Sequence, residues 1–292
     1  MKVIHFEIKV GHIGNTASKL SYQFGIKIRD NRSGKLHTEN RDDVVYAEIH
    51  LPKNAPTRLR DPQMFVDEVE LAETRNGKIR NVRKDARTLR VIIAMLPKEL
   101  TVKENIKLAQ EYVNKFFVEQ GMCAALAVHD RDSAVSDKYN PHMHILLTTR
   151  RISMDGMGFS SIKCRAWNDR GNTTMWRKGL ADLINEKFEE KGLEKRVTHK
   201  SYAKQNLDKE PQKYLHRGDY EREKRGIRTA RGDENRAIIA RNAERELAAL
   251  ELARLKDAEL EATEQAREFE RRKRIARHRL QQELDRGNEL ER

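Results

Sequence analysis

Three histidines in the middle of the chain have the residue type and spacing of a metal site. His142 and His144 open a short apolar run whose length and composition predict a β-strand. Side chains alternate faces along a strand, so both imidazoles point the same way, roughly 7 Å apart. His129 ends a second apolar run, Cys123–Val128. If the two runs pair as an antiparallel hairpin across the polar loop 130–141, the three imidazoles converge.

A lone histidine is more often an ordinary surface or core residue, but three at hairpin distance favour a metal site. Three nitrogen ligands with room for another are typical of catalytic metal centres, whereas structural centres are closed. The chain carries a net charge of +13, from 59 Lys and Arg against 46 Asp and Glu, with a pI near 9.7. A polyanion is therefore the expected partner, and nucleic acid is the leading candidate.

Composition also excludes several classes of protein. No apolar run is long enough to span a bilayer, so no membrane insertion is expected. Charged residues interrupt the N-terminal apolar residues, which argues against a signal peptide. Two cysteines, Cys123 and Cys164, provide no disulfide framework and fit a reducing cytoplasm. With 36% charged residues and a mean hydropathy of −0.86, part of the chain should lie outside a compact core.

The elements that must position the histidines are intermixed strands and helices. The predicted strands are Val3–Val10, Val44–Leu51, Leu89–Leu96 and the two histidine runs. Four helices are predicted: a short one after the first strand that includes Tyr22 and Phe24, one from Pro62 to about Asn76, one from the Thr101/Glu104 capping box to Gly121, and one from about Thr173 to Lys191. Residues 30–43 are polar and predict an exposed loop. This order predicts an α+β domain, with helices packed on a face of an antiparallel sheet that carries the histidines.

The chain changes character in its last third. From Glu234 to Arg286 there is no Gly or Pro, and Glu–Arg pairs recur at helical spacing. We predict a catalytic domain over 1–200, a basic linker or trailing segment over 201–232 and a long charged helix over 233–292. The leucines of this helix hold a heptad poorly, which favours a solvated single helix over a coiled coil. Its basic run Arg271–Arg274 is either a DNA-backbone contact or a solvated face.

A histidine-bound divalent ion in a basic protein suggests phosphodiester chemistry. Such an ion withdraws charge from a scissile phosphate and fixes it for in-line attack. The attacking group is either water or a tyrosine, and a tyrosine would give a covalent phosphotyrosine. Tyr22 is the candidate, because it lies near basic Lys19 on the short helix after the first strand.

Motifs along the first 240 residues resemble the MobA/MobL relaxases. The matching segments, in order, are Tyr22-Gln-Phe-Gly25, Leu51-Pro-Lys-Asn-Ala-Pro56, Glu73-Thr-Arg-Asn-Gly77, Leu96-Pro-Lys-Glu-Leu100, Asn140-Pro-His-Met-His144, Arg150, Thr198-His-Lys-Ser-Tyr202, Gly226-Ile-Arg-Thr229 and Gly232-Asp-Glu-Asn-Arg236. The Asn-Pro-His-x-His element is the most specific of them. The chain departs from the family on both sides of Tyr22. The segment before Tyr22 lacks the family's arginine-rich sequence, and Gln23-Phe24-Gly25 after it stands where the family has an Arg-Ser-Gly-like run.

The resemblance implies a bacterial, cytoplasmic, metal-dependent relaxase that nicks one strand of plasmid DNA at a transfer origin. Tyr22 would be the nucleophile that forms a 5′-phosphotyrosyl intermediate, later religated, and Glu73 would orient a ligand or accept a proton. His129, His142 and His144 would hold the metal, with Mn²⁺ or Mg²⁺ as the leading ions and Zn²⁺, Co²⁺ or Ni²⁺ as alternatives.

The resemblance also implies contacts with DNA and with other proteins. Lys19, Arg150 and Arg151 are expected to contact the DNA. Accessory mobilisation proteins and the coupling protein of a type IV secretion system are the implied protein partners.

Two other functions fit parts of the sequence. A rolling-circle replication initiator uses the same metal motif but places its tyrosine after the histidines, which would select Tyr202, Tyr214 or Tyr220. The tyrosine upstream of the histidines and the trailing motifs favour the relaxase. A non-enzymatic DNA-binding or scaffold protein would also suit the basic charge and the long helix. In such a protein the histidines would be structural remnants without a catalytic role.

Overall fold

The computed structural model describes residues 1–11, 15–75, 77–83, 86–130 and 140–290, with the side chains at 79, 80, 217 and 279–290 excepted. Most of the predicted loop 130–141 therefore lies outside the described residues. The chain divides into two compact units, Met1–Ser201 and Tyr202–Arg292.

The described strands and helices follow one another through both units. The strands are β1 (Lys2–Val3), β2 (Phe6–Val10), β3 (Ile28–Arg29), β4 (Leu36–His37), β5 (Val44–His50), β6 (Thr74–Arg75), β7 (Lys78–Val82), β8 (Leu89–Met95), β9 (Ala124–His129), β10 (His142–Thr148), β11 (Arg150–Ile152), β12 (Phe159–Lys163) and β13 (Val197–Thr198). The helices are α1 (Thr16–Phe24), α2 (Pro62–Leu71), α3 (Val102–Val113), α4 (Arg170–Glu190), α5 (Arg217–Lys224) and α6 (Ala230–Leu290).

A five-stranded sheet in the order β2-β8-β10-β9-β5 is the centre of the first unit, and each neighbouring pair in it is antiparallel. Three antiparallel hairpins form separate two-stranded sheets: β3 with β4, β6 with β7 and β11 with β12. The α+β prediction, with an antiparallel sheet that carries the histidines and a long C-terminal helix, is confirmed.

Both faces of the sheet are covered, although the sequence predicted helices on one. On β10, Met143, Ile145 and Leu147 are buried in a core shared with α3 and α4. Leu146, on the opposite face, is buried in a second core shared with α1 and α2. β9 is buried at every position, because its residues face a helical layer on each side. The histidines therefore lie on the α1 face of a rigid central pair of strands.

The ends of two elements differ from their predictions for identifiable reasons. The predicted first strand, Val3–Val10, is two strands: β1 pairs in parallel with β13, and β2 joins the main sheet. The helix predicted from Pro62 to about Asn76 ends at Leu71, because the chain turns there into the β6–β7 hairpin. The capping box of Thr101 and Glu104 is present at the start of α3 as predicted.

The second unit contains α6 and the segment that leads into it. The segment predicted as a basic linker includes α5 and is fastened to the first turns of α6: Glu210 accepts hydrogen bonds from Arg241 and Arg245, and Glu223 from Arg236. Beyond these contacts the described side chains of α6 are exposed, among them Leu247, Leu255 and Phe269. No helix in the described ranges is both long and apolar enough to cross a membrane.

Candidate active site

The pairing of β9 with β10 brings the three histidines together, as predicted. His142 lies directly opposite His129, and His144 lies opposite Ala127, so the three side chains share one face. One ligand nitrogen from each histidine can be chosen so that all three lie within 4.8 Å of one another. His129 is fully buried and His144 is 6% exposed.

The hydrogen bonds of the cluster suit a metal-binding role. His129 Nε2 lies 2.7 Å from the backbone oxygen of Gln23, and His142 Nδ1 lies 2.9 Å from that of Asn140. Bonds of this kind fix the ring and tautomer of metal-ligating histidines. Among the described residues, Nδ1 of His129 and both ring nitrogens of His144 are buried without a hydrogen-bond partner. A neutral imidazole has one bare acceptor nitrogen. A buried acceptor without a partner is costly, and a bound cation would satisfy one on each ring.

The protonation state of the cluster also fits a cation. Burial lowers the pKa of His129 to about 4, although its bond with the Gln23 carbonyl opposes the shift. Burial and the neighbouring histidines lower the pKa of His144 to about 2. Both rings are therefore neutral near pH 7, and a neutral imidazole is the form that binds a metal.

Helix α1 presents Tyr22 to the histidines. The Tyr22 ring centroid lies 6.4 Å from that of His129 and 6.1 Å from that of His144, with edge-on geometry in both pairs. Tyr22 is 42% exposed, so part of its side chain is open to an incoming substrate. Gly25 ends the helix in a left-handed conformation, φ 66°, and its N–H bonds to the Ser21 oxygen.

Arg41, which the sequence did not single out, lies against Tyr22, and Asp43 in turn holds Arg41. The Arg41 guanidinium carbon lies 4.0 Å from the Tyr22 ring centroid. Asp43 holds Arg41 through a two-fold contact, with Nε 2.8 Å and Nη2 2.6 Å from its carboxylate oxygens. Burial acts to lower the pKa of Arg41, but its contacts with Asp43 and Tyr22 outweigh burial and raise it.

Glu73 and Arg150, which motif matches assigned to the site, form a buried ion pair with each other. Arg150 Nε donates to Glu73 Oε1 at 2.7 Å, and Lys163 Nζ lies 2.9 Å from Glu73 Oε2. Glu73 and Arg150 line a small cleft with Thr148, the last residue of β10. Four residues of strand separate Thr148 from His144, or about 13 Å at ~3.3 Å per residue. Glu73 and Arg150 are 1% and 3% exposed. The structure thus places Glu73 and Arg150 in a shared buried ion pair. Their expected roles, Glu73 orienting a ligand or accepting a proton and Arg150 contacting DNA, stay predictions.

The other expected DNA contacts are on the surface or near it. Lys19 is half-buried on α1, three residues before Tyr22. Arg151 is exposed on β11, with its guanidinium carbon 5.4 Å from the Trp167 ring centroid. Both side chains remain candidates for phosphate contacts.

The position of Glu73 predicts a structural effect on mutation. Glu73→Gln leaves the buried Arg150 charge without its carboxylate, and breaking such a pair costs about 3–5 kcal/mol. Urea unfolding should show this loss, while DNA nicking measured below the unfolding range stays close to the wild-type rate. Glu68→Gln is the matched control, because the Arg58–Glu68 pair is partly exposed and such pairs contribute ~0–1 kcal/mol. A variant of unchanged stability that has lost nicking would instead restore the catalytic role.

Comparisons with known proteins agree with the motif resemblance. The model of the MobA/MobL family matches residues 15–225, well over half of the chain. A probable mobilization protein MobA from Bifidobacterium longum is 30% identical over 147 residues, covering 50% of this chain and 24% of that protein. Mobilization protein MobL from Acidithiobacillus ferridurans is 27% identical over 223 residues, covering 67% of this chain and 56% of that protein.

A solved structure supports the fold. It is described as the molecular basis of vancomycin resistance transfer in Staphylococcus aureus, and it is 27% identical with a TM-score of 0.59, covering 68% of this chain and all of that one. The conjugal transfer protein TraA of Agrobacterium fabrum is 25% identical over 247 residues, covering 74% of this chain but 21% of that protein. The chain thus spans from about a fifth to just over half of these curated relatives. With its sequence motifs, sheet and family match in agreement, the chain belongs to the MobA/MobL family.

Proposed function

We propose that the chain is a DNA relaxase that nicks one strand of plasmid DNA at a transfer origin through attack by Tyr22. The observation that carries the proposal is the placement of an exposed tyrosine edge-on to two of three clustered histidines. The net charge of +13 supports a nucleic acid substrate. The relatives named for mobilization and conjugal transfer support a role in DNA transfer rather than in replication.

His129, His142 and His144 would hold a divalent ion on their neutral nitrogens. When bound, that ion supplies charge withdrawal from the scissile phosphate. Three imidazoles accommodate Mn²⁺, Zn²⁺, Co²⁺ or Ni²⁺, whereas Mg²⁺ prefers oxygen ligands. Mn²⁺ is therefore the first ion to test, and Mg²⁺ is tested beside it because the family resemblance implies either ion.

The proposed reaction is a transesterification that conserves one phosphodiester-type bond. The Tyr22 Oη forms a bond to phosphorus as the bond from phosphorus to the 3′ oxygen breaks, and that electron pair stays on the 3′ oxygen. The phenolic proton passes to water, and the 3′ oxygen takes a proton from water. The product is a 5′-phosphotyrosyl ester beside a free 3′ hydroxyl, which can attack the ester and religate the strand without ATP.

Lys19 and Arg151 are the proposed contacts for the substrate strand outside the reacting phosphate. Phosphate contacts of this kind position a strand and make affinity salt-dependent. Accessory mobilisation proteins and a secretion coupling protein are proposed partners of the complete transfer process.

Nick mapping with peptide identification tests the proposal. Plasmid DNA carrying the gene is incubated with the protein and Mn²⁺ or Mg²⁺, the nick is located by primer extension, and the DNA-linked tryptic peptide is identified by mass spectrometry. We expect one strand-specific nick and a linked peptide that contains Tyr22. A linked peptide with Tyr202, Tyr214 or Tyr220 would favour the replication initiator, and absence of any adduct with either ion would overturn the proposal.

A further inference from the structure

We propose that Arg41 is a catalytic partner of Tyr22, placing a positive charge beside the phenolic oxygen and the incoming phosphate, and that Asp43 is the residue that positions it. The inference rests on the proposed function, because it assigns a role at the same site. Neither residue belongs to a motif that the sequence singled out.

The contacts of Arg41 hold its guanidinium in one place. Its side chain is 7% exposed and that of Asp43 is 16% exposed, so the pair is largely shielded from water. The guanidinium carbon lies over the Tyr22 ring at 4.0 Å from the centroid. A guanidinium that is stacked on an aromatic ring and also makes a bidentate interaction with a carboxylate has little rotational freedom left. Its position relative to Tyr22 is therefore set before DNA binds.

Asp43 engages one edge of the Arg41 guanidinium, which lies over the Tyr22 ring. Asp43 is bonded to Nε and Nη2 of Arg41, which form one edge of the guanidinium. Nη1 lies on the other edge, away from the carboxylate, and its two hydrogens can donate to an oxyanion. Asp43 is itself anchored, because its backbone oxygen accepts a 2.8 Å hydrogen bond from the N–H of Asp130, next to His129. The loop before β5 thus joins the nucleophile to the histidine strand.

This arrangement addresses the chemical difficulty of the proposed step. The Tyr22 oxygen must lose its proton and approach a phosphate that already carries negative charge. A fixed donor beside the developing charge lowers the barrier without reorganisation at the moment of reaction. Arg41 remains protonated throughout, so the bonds and protons balance as in the transesterification above. In the reverse reaction the same charge stabilises the phenolate as it leaves.

Single-turnover kinetics on a single-stranded oligonucleotide that spans the mapped nick tests the assignment. Arg41→Ala should slow formation of the Tyr22 adduct about 10²–10³-fold, the effect of removing one oxyanion donor, while DNA affinity at fixed salt falls far less. Arg41→Lys should recover little of the rate, because an ammonium group lacks the planar, bidentate donor geometry of the guanidinium. Guanidinium ion added to Arg41→Ala should restore part of the rate, and Asp43→Asn should show a smaller loss than Arg41→Ala.

Arg32→Ala is the matched control for loss of one positive charge, since Arg32 lies in the β3–β4 hairpin at 4.0 Å from its partner Asp30. It should react at the wild-type rate. Arg41→Ala at the wild-type rate would overturn the assignment, as would a rate loss that follows a lowered melting temperature and is not rescued by guanidinium. A wild-type chain that forms no adduct would instead overturn the proposed function and the assignment together.

Discussion

Tyr22→Phe should eliminate the covalent protein–DNA adduct. The substitution removes only the hydroxyl, so the ring keeps its edge-on contacts with His129 and His144 and its stacking with Arg41. Loss of a catalytic nucleophile lowers rates by at least about 10⁴-fold. Because Tyr22 is 42% exposed and its hydroxyl is not part of the core, stability should remain within ~0.5 kcal/mol of the wild type.

Denaturing gel electrophoresis of the labelled oligonucleotide measures the adduct directly. Tyr202→Phe, Tyr214→Phe and Tyr220→Phe are the matched controls, and all three should form adduct at the wild-type rate. DNA affinity of Tyr22→Phe, measured in parallel, should be unchanged. An undiminished adduct in Tyr22→Phe, together with loss of adduct in one control, would assign the reaction to a downstream tyrosine and favour the replication initiator.

Alanine at both His142 and His144 should abolish nicking and metal binding while DNA binding persists. Changing a residue that merely supports a ligand costs about 10–100-fold in metal affinity, so loss of two ligands should cost more. Binding to DNA should retain its steep salt dependence, which reports phosphate contacts rather than the metal. Titration calorimetry with Mn²⁺ or Co²⁺ and nicking assays on the same preparations provide the two measurements.

His50→Ala is the control for this pair. His50 lies on β5 and contacts Tyr46 and Asn114 rather than the histidine cluster. It should leave both metal affinity and nicking near wild type. If the double variant nicks DNA at the wild-type rate, the histidines have no catalytic role. If neither the variant nor the wild type nicks while both bind DNA, the non-enzymatic scaffold becomes the better account.

Local sequence pattern was sufficient to predict the central part of the site. Alternation along His142–Thr148 predicted the shared face of two histidines, and the apolar run before His129 predicted the partner strand. The strand predicted over Leu89–Leu96 is Leu89–Met95, and the helix predicted over Thr173–Lys191 is Arg170–Glu190. In each case the signal is periodicity within a single element, which depends little on the rest of the fold.

Contacts between distant segments were beyond the reach of such patterns. Arg41 lies in a polar stretch that predicted an exposed loop, and its contact with Tyr22 depends on how that stretch returns along α1. Glu73 and Arg150 are separated by 77 positions, and each matched a motif that suggested a role by itself. Their mutual burial follows from the β11–β12 hairpin packing beside the end of α2. Tertiary geometry, not residue type, determines the contacts of these three residues.

The three-histidine site forms only when β9 and β10 pair in the register that places His142 opposite His129. The register that aligns them also buries Met143 and Ile145 on the opposite side of the sheet. A slip of one residue would reverse every side chain of the strand, turning the histidines into the apolar core and methionine toward Tyr22. A chain with the wrong strand register would therefore lack the three-histidine cluster. Under the proposed function, only a correctly folded copy of the chain would be able to nick DNA, which protects the plasmid from damage by misfolded copies.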